Sequence, residues 1–307
     1  MAYDRRKFIT HTGLAAAGIL TGFPSYAGQD LDLKEITILH TNDMHSRIEP
    51  FPMDGSRNEG AGGVALRSSM IKQVRAEEDN VILLDSGDIF QGTPYFNFYE
   101  GEVEMKVMSK LGYDVGTLGN HDFDMGVEGF AKQLVHADFE FVVGNYIIKD
   151  TPLAGRVKPY TVIVKDGIRI GIFGLGIELK GLVPKKLYGD TVYLDPIKEG
   201  QKIAAILKED EGCDLIICLS HLGYKYRDDT VSDIHLAQNT HDIDIILGGH
   251  THTFMYQPDI RRNNKGKEVI INQAGWAGLM LGRLDVTMEI SKGKKCVNCK
   301  NTFLTHT

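Results

Sequence analysis

The amino-acid sequence predicts an α/β fold in which helices cover sheets on both outer faces. Short runs of apolar and β-branched residues alternate with segments whose apolar positions recur at helical spacing. Two predicted strands are separated only by Asp166-Gly167, the signature of a hairpin with a two-residue turn, so part of the pairing is antiparallel. The chain has 307 residues, of which 42% are hydrophobic and 24% charged, so it can bury a sizeable core.

The predicted elements follow in chain order. Ile36–His40 and Val81–Leu84 are strands because they are short apolar runs, and Gly62–Glu78 between them has apolar residues at helical spacing. The same two patterns give the other elements: the helix Glu102–Leu111, the strands Val115–Leu118, Phe139–Val143, Tyr160–Val164 and Ile168–Phe173, the helix Pro196–Lys208, and the strands Leu215–Leu219, Ile243–Leu247, Val269–Asn272 and Leu281–Met288.

The first 27 residues are predicted to be an export signal. Arg5, Arg6 and Lys7 form a basic start, Gly13–Phe23 is a short apolar stretch, and Ser25-Tyr26-Ala27 offers a cleavage site. Arg5-Arg6-Lys7-Phe8-Ile9 resembles the twin-arginine pattern. We therefore expect residues 1–27 to be a twin-arginine-type signal peptide, 28–290 to be one domain, and 291–307 to be a C-terminal tail. The expected location is the periplasm or the cell exterior.

The net charge and the hydropathy of the chain argue against two kinds of partner, nucleic acid and the membrane interior. The net charge of −7 makes nucleic acid an unfavourable partner. No apolar run reaches the roughly 18–20 residues that a membrane-spanning helix needs.

Five segments carry residues that ligate metals, and each follows a predicted strand. They are His40-Thr41-Asn42-Asp43-Met44-His45, Asp85-Ser86-Gly87-Asp88, Gly119-Asn120-His121-Asp122-Phe123-Asp124, Ser220-His221-Leu222-Gly223 and Gly248-Gly249-His250-Thr251-His252. One such segment alone is weak, since a lone histidine near a strand usually has a structural role. Five in one chain predict a shared metal site.

This set of residues suits a hydrolase with two metal ions. A phosphate ester resists attack because its oxygens are negative and water is a poor nucleophile; two divalent ions neutralise the oxygens and acidify a water. Imidazole and carboxylate ligands favour Zn, Mn or Fe over Ca or Mg. Asp88, beside a glycine, is expected to bridge both ions. Residues two apart on an extended strand share a face, so Asp43 with His45, and His250 with His252, are expected to converge.

The five segments resemble the motifs of the calcineurin-like metallophosphoesterases, and within that superfamily the branch of 5′-nucleotidases, UDP-sugar hydrolases and 2′,3′-cyclic phosphodiesterases. The resemblance covers about Glu35 to Glu289. It implies the metallo-dependent phosphatase fold, a four-layer α/β/β/α sandwich of two mixed sheets flanked by helices. It also implies two divalent metal ions and hydrolysis of a small phosphorylated substrate, a nucleotide, by a metal-activated hydroxide.

The resemblance further implies a role for each residue. Asp43, His45, Asp88 and His252 would hold one ion, and the other would be held by Asp88, Asn120, His221 and His250. His121 would stabilise developing charge or protonate the leaving oxygen, while Asp124 would accept its other N–H and fix the tautomer. Asp122 is expected to support the ligands without binding metal.

Two alternatives follow from what this branch usually carries after the metal domain. That branch has a second domain, which grips the nucleotide, and we expect this chain to have no room for it. The chain is then expected either to act alone with a more open site or to receive the missing half from a separately encoded specificity subunit. A non-catalytic nucleotide-binding or scaffold subunit, and a hydrolase of sulfur esters related to thiosulfohydrolases, are the competing functions.

Several residues stay without an assigned function. Cys213 and Cys218 are expected to be buried thiols. Cys296 and Cys299 form a lone C-x-x-C that suits either a small disulfide or a metal ligand pair. Trp276 is expected either in the core or at the rim of the site.

Overall fold

The apolar runs form the strands of two large sheets, with a third sheet of two short strands, in a computed structural model that describes residues 33–289 and 294–305. The strands are β1 (Leu33–Thr41), β2 (Val81–Asp85), β3 (Val115–Gly116), β4 (Glu140–Val142), β5 (Tyr146–Ile147), β6 (Val157–Lys158), β7 (Tyr160–Lys165), β8 (Ile168–Leu175), β9 (Val192–Tyr193), β10 (Leu215–Ser220), β11 (Ile245–Leu247), β12 (Asp259–Arg262), β13 (Glu268–Asn272), β14 (Met280–Glu289), β15 (Lys294–Cys299) and β16 (Thr302–Phe303).

The α-helices lie between these strands. They are α1 (Val64–Glu77), α2 (Pro94–Tyr99), α3 (Glu102–Leu111), α4 (Gly126–Gln133), α5 (Lys185–Tyr188), α6 (Pro196–Ala205) and α7 (Asp233–Asn239). Short 3₁₀ turns span His121–Phe123 and Leu134–His136, and a π-helical turn, Ile206–Asp210, continues α6. Asp195 caps α6 by accepting hydrogen bonds from two backbone N–H groups, and Ser232 caps α7 in the same way, through one N–H.

Both large sheets are mixed, and β5 and β9 form the small antiparallel sheet. The first has the order β15-β14-β1-β2-β3-β4-β6, with β16 also paired to β14; β1, β2, β3, β4 and β6 run parallel, while β14 is antiparallel to β1. The second has the order β12-β13-β11-β10-β8-β7, parallel from β13 to β8 and antiparallel at both edges. The predicted hairpin across Asp166-Gly167 is β7–β8.

The sheets pack face to face and the helices cover their outer faces. Ile38 and Leu84 of the first sheet lie in one buried cluster with Ile170 and Ile217 of the second. The neighbouring Leu39 and Leu83 point the other way, into a cluster with residues of α1, α3 and α4. Residues of α6 and α7 cover the second sheet. The predicted four-layer α/β/β/α sandwich is confirmed.

The end of the chain differs from the expected tail. The predicted domain ends at 290, but β15 extends the first sheet beside β14, and β16 pairs with Met280 and Leu281. Alternating exposed and half-buried residues in β15 explain the difference, because only one face of this edge strand packs on the core. The predicted signal peptide, residues 1–27, lies outside the described residues.

The cysteines confirm one prediction, burial of two thiols, and contradict one alternative, a disulfide between the other two. Cys213 and Cys218 are buried. Cys296 and Cys299 are free thiols three positions apart on β15. Three residues of extended chain span about 10 Å, which is beyond the reach of a disulfide of about 7 Å between Cα atoms, so the disulfide alternative is wrong for this strand.

None of the helices in the described part of the chain is long and apolar enough to cross a bilayer.

His40, near the end of β1, is fully buried, and its Nε2 accepts a hydrogen bond from Asn272 Nδ2 over 2.9 Å. Burial lowers the pKa of His40 from its ordinary value of 6.5 to about 3. The folded protein therefore holds this imidazole neutral at pH values where the unfolded chain would protonate it.

Because the pKa of His40 is lower in the folded state, the stability that it contributes is present above pH 6.5 and is lost as the pH falls towards 3. We expect the free energy of unfolding of the wild type, relative to His40→Gln, to fall by a few kcal/mol over that range. Urea unfolding of both proteins across the range measures this, and parallel curves would contradict it.

Candidate metal centre

The five motif segments meet at one rim of the molecule because they follow the carboxyl ends of parallel strands in both sheets. The segments follow β1, β2 and β3 in the first sheet, and β10 and β11 in the second. Ser86 joins the two sheets there. Its hydroxyl donates to the carbonyl of Leu247 over 2.8 Å, and its own carbonyl accepts from His221 Nδ1 over 2.7 Å.

Asp43, His45 and His252 form the first group of candidate ligands, with one ligand atom from each lying within 4.8 Å of the others. The Nε2 atoms of the two histidines face each other at 3.0 Å. His252 Nε2 also lies 3.3 Å from Asp43 Oδ1. The Asp43 carboxylate is fully buried, whereas both histidines are partly exposed.

Asp88, His221 and His250 form the second group. His221 Nε2 lies 3.1 Å from Asp88 Oδ2. Asn120 Oδ1 is 2.8 Å from His250 Nδ1, which places the amide oxygen in this group as well. The two groups adjoin, since His221 Nε2 is 4.0 Å from Asp43 Oδ1 of the first group.

All seven ligand residues named from the sequence therefore lie in two adjoining groups. Asp88, which was expected to reach both ions, lies in the second group, and its Oδ1 accepts the backbone N–H of His121 over 2.8 Å. Its bridging role stays a prediction.

The backbone brings these side chains together differently from the expectation. Side chains two apart were expected to share a face of an extended strand. Instead, five of the ligand residues have a left-handed backbone, namely Asp43 (φ 50°), His45 (φ 47°), Asp88 (φ 56°), His250 (φ 66°) and His252 (φ 52°). A non-glycine residue in this region costs about 1 kcal/mol or more, so surrounding contacts must hold these turns.

The donor set fits bound cations. His221 Nδ1 donates to the Ser86 carbonyl, so its buried Nε2 is the nitrogen that faces Asp88 Oδ2, 3.1 Å away. Burial lowers the pKa of His45, and it lowers the pKa of His250 to about 4. Burial also disfavours the charged form of His221, but the charge of Asp88 raises the pKa of that imidazole to about 10. The two buried carboxylates need positive charge beside them, which a bound cation would supply.

His121 and Asp124 form a pair beside these groups. His121 Nδ1 lies 2.9 Å from Asp124 Oδ2, and this hydrogen bond raises the pKa of the imidazole. The His121 ring centroid is 5.2 Å from that of His45, and 40% of the His121 side chain is exposed. The ring thus stands at the partly exposed edge of the first group, with Asp124 holding its Nδ1.

Asp122 supports the turn that carries Asp88. The fully buried carboxylate accepts four backbone N–H groups, from Gly119 (2.8 Å), Ile89 (2.9 Å), Asp88 (3.0 Å) and Phe90 (3.3 Å). Burial and the charge of Asp88 raise the pKa of Asp122 to about 7, while the four N–H donors favour its ionised form. The supporting role expected of Asp122 is therefore to join the Asp88 turn to the Asn120 segment.

Two further features shape the site. A side chain at Gly119 would place its Cβ 2.2 Å from Asp88 Oδ1, so only glycine allows these segments to approach. The Trp276 ring stacks on His252 with centroids 5.6 Å apart and planes 8° apart, and it is half-buried. Trp276 therefore lies at the rim of the site, and it also packs against the buried cluster of Ala61, Ala277 and Leu279, so the structure supports both alternatives in part.

Comparison with known proteins agrees with this geometry. The family model described as calcineurin-like phosphoesterase matches residues 36–254. The chain belongs to this family. The matched segment runs from β1 to just beyond His252, so it contains every candidate ligand of this phosphoesterase domain.

The chain is similar to nucleotidases in both sequence and structure. It is 35% identical over 283 residues to a snake venom 5′-nucleotidase of Naja atra, covering 85% of this chain and 51% of that protein. It superimposes on a 5′-nucleotidase precursor from Thermus thermophilus with a TM-score of 0.79 and 34% identity, covering 89% of this chain and 55% of that one. For an NAD nucleotidase of Haemophilus influenzae the TM-score is 0.79 and the identity 29%, with coverage of 89% and 56%. The chain spans about half the length of the relatives it matches.

We expect Asp122→Asn to destabilise the apo protein by about 1–3 kcal/mol, because an amide NH₂ would face backbone N–H donors that the carboxylate oxygens now accept. Urea unfolding in the presence of a chelator measures this. Asp190→Asn, at an exposed aspartate, is the matched control and should leave the unfolding midpoint unchanged. Equal midpoints for both variants would contradict the role of Asp122.

Proposed function

We propose that this chain is a phosphoesterase with two metal ions that hydrolyses phosphate esters of nucleotides. One observation carries the proposal: two adjoining groups of ligand atoms lie at the rim with the His121–Asp124 pair beside them. The relatives named 5′-nucleotidase support a nucleotide as the substrate. The comparisons give no support to a separately encoded specificity subunit.

The assignment of ligands follows the two groups. Asp43, His45 and His252 would hold one divalent ion; Asn120, His221 and His250 would hold the other, with Asp88 between them. Once bound, such ions neutralise phosphate oxygens and lower the pKa of a coordinated water. Imidazole nitrogens and carboxylates favour Zn, Mn or Fe.

The protein's side chains determine how a substrate would be bound and protonated. Asp43 and Asp88 are almost completely buried, so neither carboxylate is exposed to an anionic substrate. His121 lies at the exposed edge, where its Nε2 can donate a proton to the leaving ester oxygen or a hydrogen bond to a phosphate oxygen. Asp124 accepts the Nδ1 proton, which fixes the tautomer and the plane of the ring.

We also propose that the protein is exported. The Arg5-Arg6-Lys7-Phe8-Ile9 pattern and the short apolar stretch after it support a twin-arginine signal. Replacing Arg5 and Arg6 by lysine should retain the protein in the cytoplasm, which cell fractionation would detect.

The test of the proposed function is a substrate panel. The protein covering residues 28–307, reconstituted with Mn²⁺ or Zn²⁺, should release phosphate from nucleoside 5′-monophosphates or UDP-sugars, or open 2′,3′-cyclic nucleotides. Removal of metal by a chelator should abolish turnover. Binding of nucleotides without turnover under any metal would favour a non-catalytic subunit, and turnover of thiosulfate esters alone would favour the sulfur-ester alternative; either result would contradict the proposal.

We expect His121→Ala to keep both metal ions and to lose roughly 10²–10⁴-fold in kcat, because it removes the proton donor and leaves the ligand groups intact. Metal analysis beside kinetics on bis-p-nitrophenyl phosphate measures both quantities. Asp88→Asn is the contrasting variant, and its metal content should fall as well. Loss of metal from His121→Ala would show that His121 is a ligand and that the assigned roles are wrong.

A further inference from the structure

The segment that carries His250 and His252 needs contacts that hold it in place. The two histidines belong to different ligand groups although they are two positions apart. Both have a left-handed backbone, with φ of 66° and 52°. A small relaxation of this segment would therefore move one ligand of each group at the same time.

Gln273 binds this segment on both sides. It is fully buried directly after β13. Its Nε2 donates to the carbonyl of Gly249 over 2.8 Å, just before His250. Its Oε1 accepts from the backbone N–H of Thr253 over 3.0 Å, just after His252, and from Thr251 Oγ1, between the two histidines, over 3.3 Å.

Asp233 sets the direction of the Gln273 amide. Its Oδ2 accepts from Gln273 Nε2 over 3.3 Å. The Gly249 carbonyl can only accept, so it requires the NH₂ side of the amide to face it, and Asp233 Oδ2 lies on that same side. The Oε1 atom is left to face the N–H of Thr253. With two donors and two acceptors in place, the amide uses all of its hydrogen-bonding capacity.

The Asp233 carboxylate also holds the segment that carries a third candidate ligand, His221. Asp233 Oδ1 accepts from Ser220 Oγ over 2.6 Å, and Ser220 directly precedes His221. A side chain at Gly248 would place its Cβ 2.1 Å from Asp233 Oδ2 and 2.7 Å from Gln273 Nε2, so the glycine leaves room for this pair. One carboxylate and one amide thus connect the segments of His221, His250 and His252.

We propose that Gln273, oriented by Asp233, is a positioning residue that fixes the spacing between the two ligand groups. Neither side chain is among the candidate ligands; they act by holding the backbone on both sides of His250 and His252. The inference rests on the proposed metal centre. It assigns a function in that centre to two buried polar residues outside its ligand groups.

The test compares metal binding to the chelator-treated wild type and to Gln273→Met, which keeps the side-chain length and removes the hydrogen bonds. Calorimetric titration with Mn²⁺ should give two ions for the wild type. Hydrogen-bonding partners of metal ligands commonly contribute roughly 10–100-fold in affinity, so both dissociation constants should rise by about that factor in Gln273→Met. The visible absorption of the Co²⁺ form should change as well, because ligand geometry changes.

Gln133→Met is the matched control. Gln133 is also a buried glutamine, in α4, and it belongs to neither the ligand groups nor the contacts of Gln273 and Asp233. This variant loses a buried amide in the same way, so its metal affinity and Co²⁺ spectrum should equal those of the wild type. Equal weakening in both variants would mean that any lost buried amide affects the centre, and it would overturn the proposal.

Asp233→Asn is a second test variant, and it becomes the main one if Gln273→Met fails to fold. An amide in place of this carboxylate cannot accept from both Gln273 Nε2 and Ser220 Oγ, so metal affinity should fall, and the double variant should lose less affinity than the sum of the two single losses. Additive losses would contradict a shared action. A wild type that binds no metal would contradict the proposed function itself, whereas two ions bound equally well by wild type, Gln273→Met and Asp233→Asn would overturn this inference only.

Discussion

The site depends on two buried carboxylates that need positive charge beside them. Asp43 and Asp88 are almost completely withdrawn from water, and histidine Nε2 atoms lie 3.1 Å from Asp88 Oδ2 and 3.3 Å from Asp43 Oδ1. Burying an uncompensated carboxylate is costly, so this arrangement is stable only where positive charge can enter. The remaining features of the fold can be understood as means of holding these atoms in place before a cation binds.

The two-sheet architecture is the first of these means. Parallel strands deliver their carboxyl ends to one rim, so residues more than 200 positions apart, such as Asp43 and His252, meet there. Ser86 joins the rims of the two sheets through one donated and one accepted hydrogen bond. A hydrophobic core between the sheets keeps that rim fixed, because neither sheet can slide without opening the buried cluster.

Local hydrogen bonds provide the finer positioning. The left-handed turns at the ligands are each unfavourable, and hydrogen bonds from neighbouring segments compensate for them. Asp122 gathers four N–H groups around the Asp88 turn, and Gln273 bonds the segment on both sides of His250 and His252. Both supporting side chains are buried and both use nearly all of their acceptor or donor capacity. Rigidity at this rim is therefore concentrated in a few polar residues that do not belong to the ligand groups.

The sequence predicted the features of the fold and site that depend on patterns of neighbouring residues. Strands such as Leu215–Ser220 can be recognised because buried parallel strands are almost wholly apolar, and the ligands can be recognised because their motifs follow those strands. α4 and α7 were not predicted because they are short and mostly polar or small on their exposed sides, and β15 because an edge strand needs only one packed face. The left-handed backbone at Asp43 could not be predicted at all, because aspartate and histidine rarely adopt it and only tertiary contacts impose it.

The ligand groups are unequal in exposure, and this has a consequence for how the site works. The group of Asp43, His45 and His252 opens to solvent at its two histidines, whereas in the group of Asp88, His221 and His250 only the last is not fully buried. His121 stands beside the open group, and Trp276 covers one face of His252. Under the proposed function, a substrate would approach from the open group, beside His121. The more buried group, which His221 anchors to Ser86, would then lie behind the phosphate.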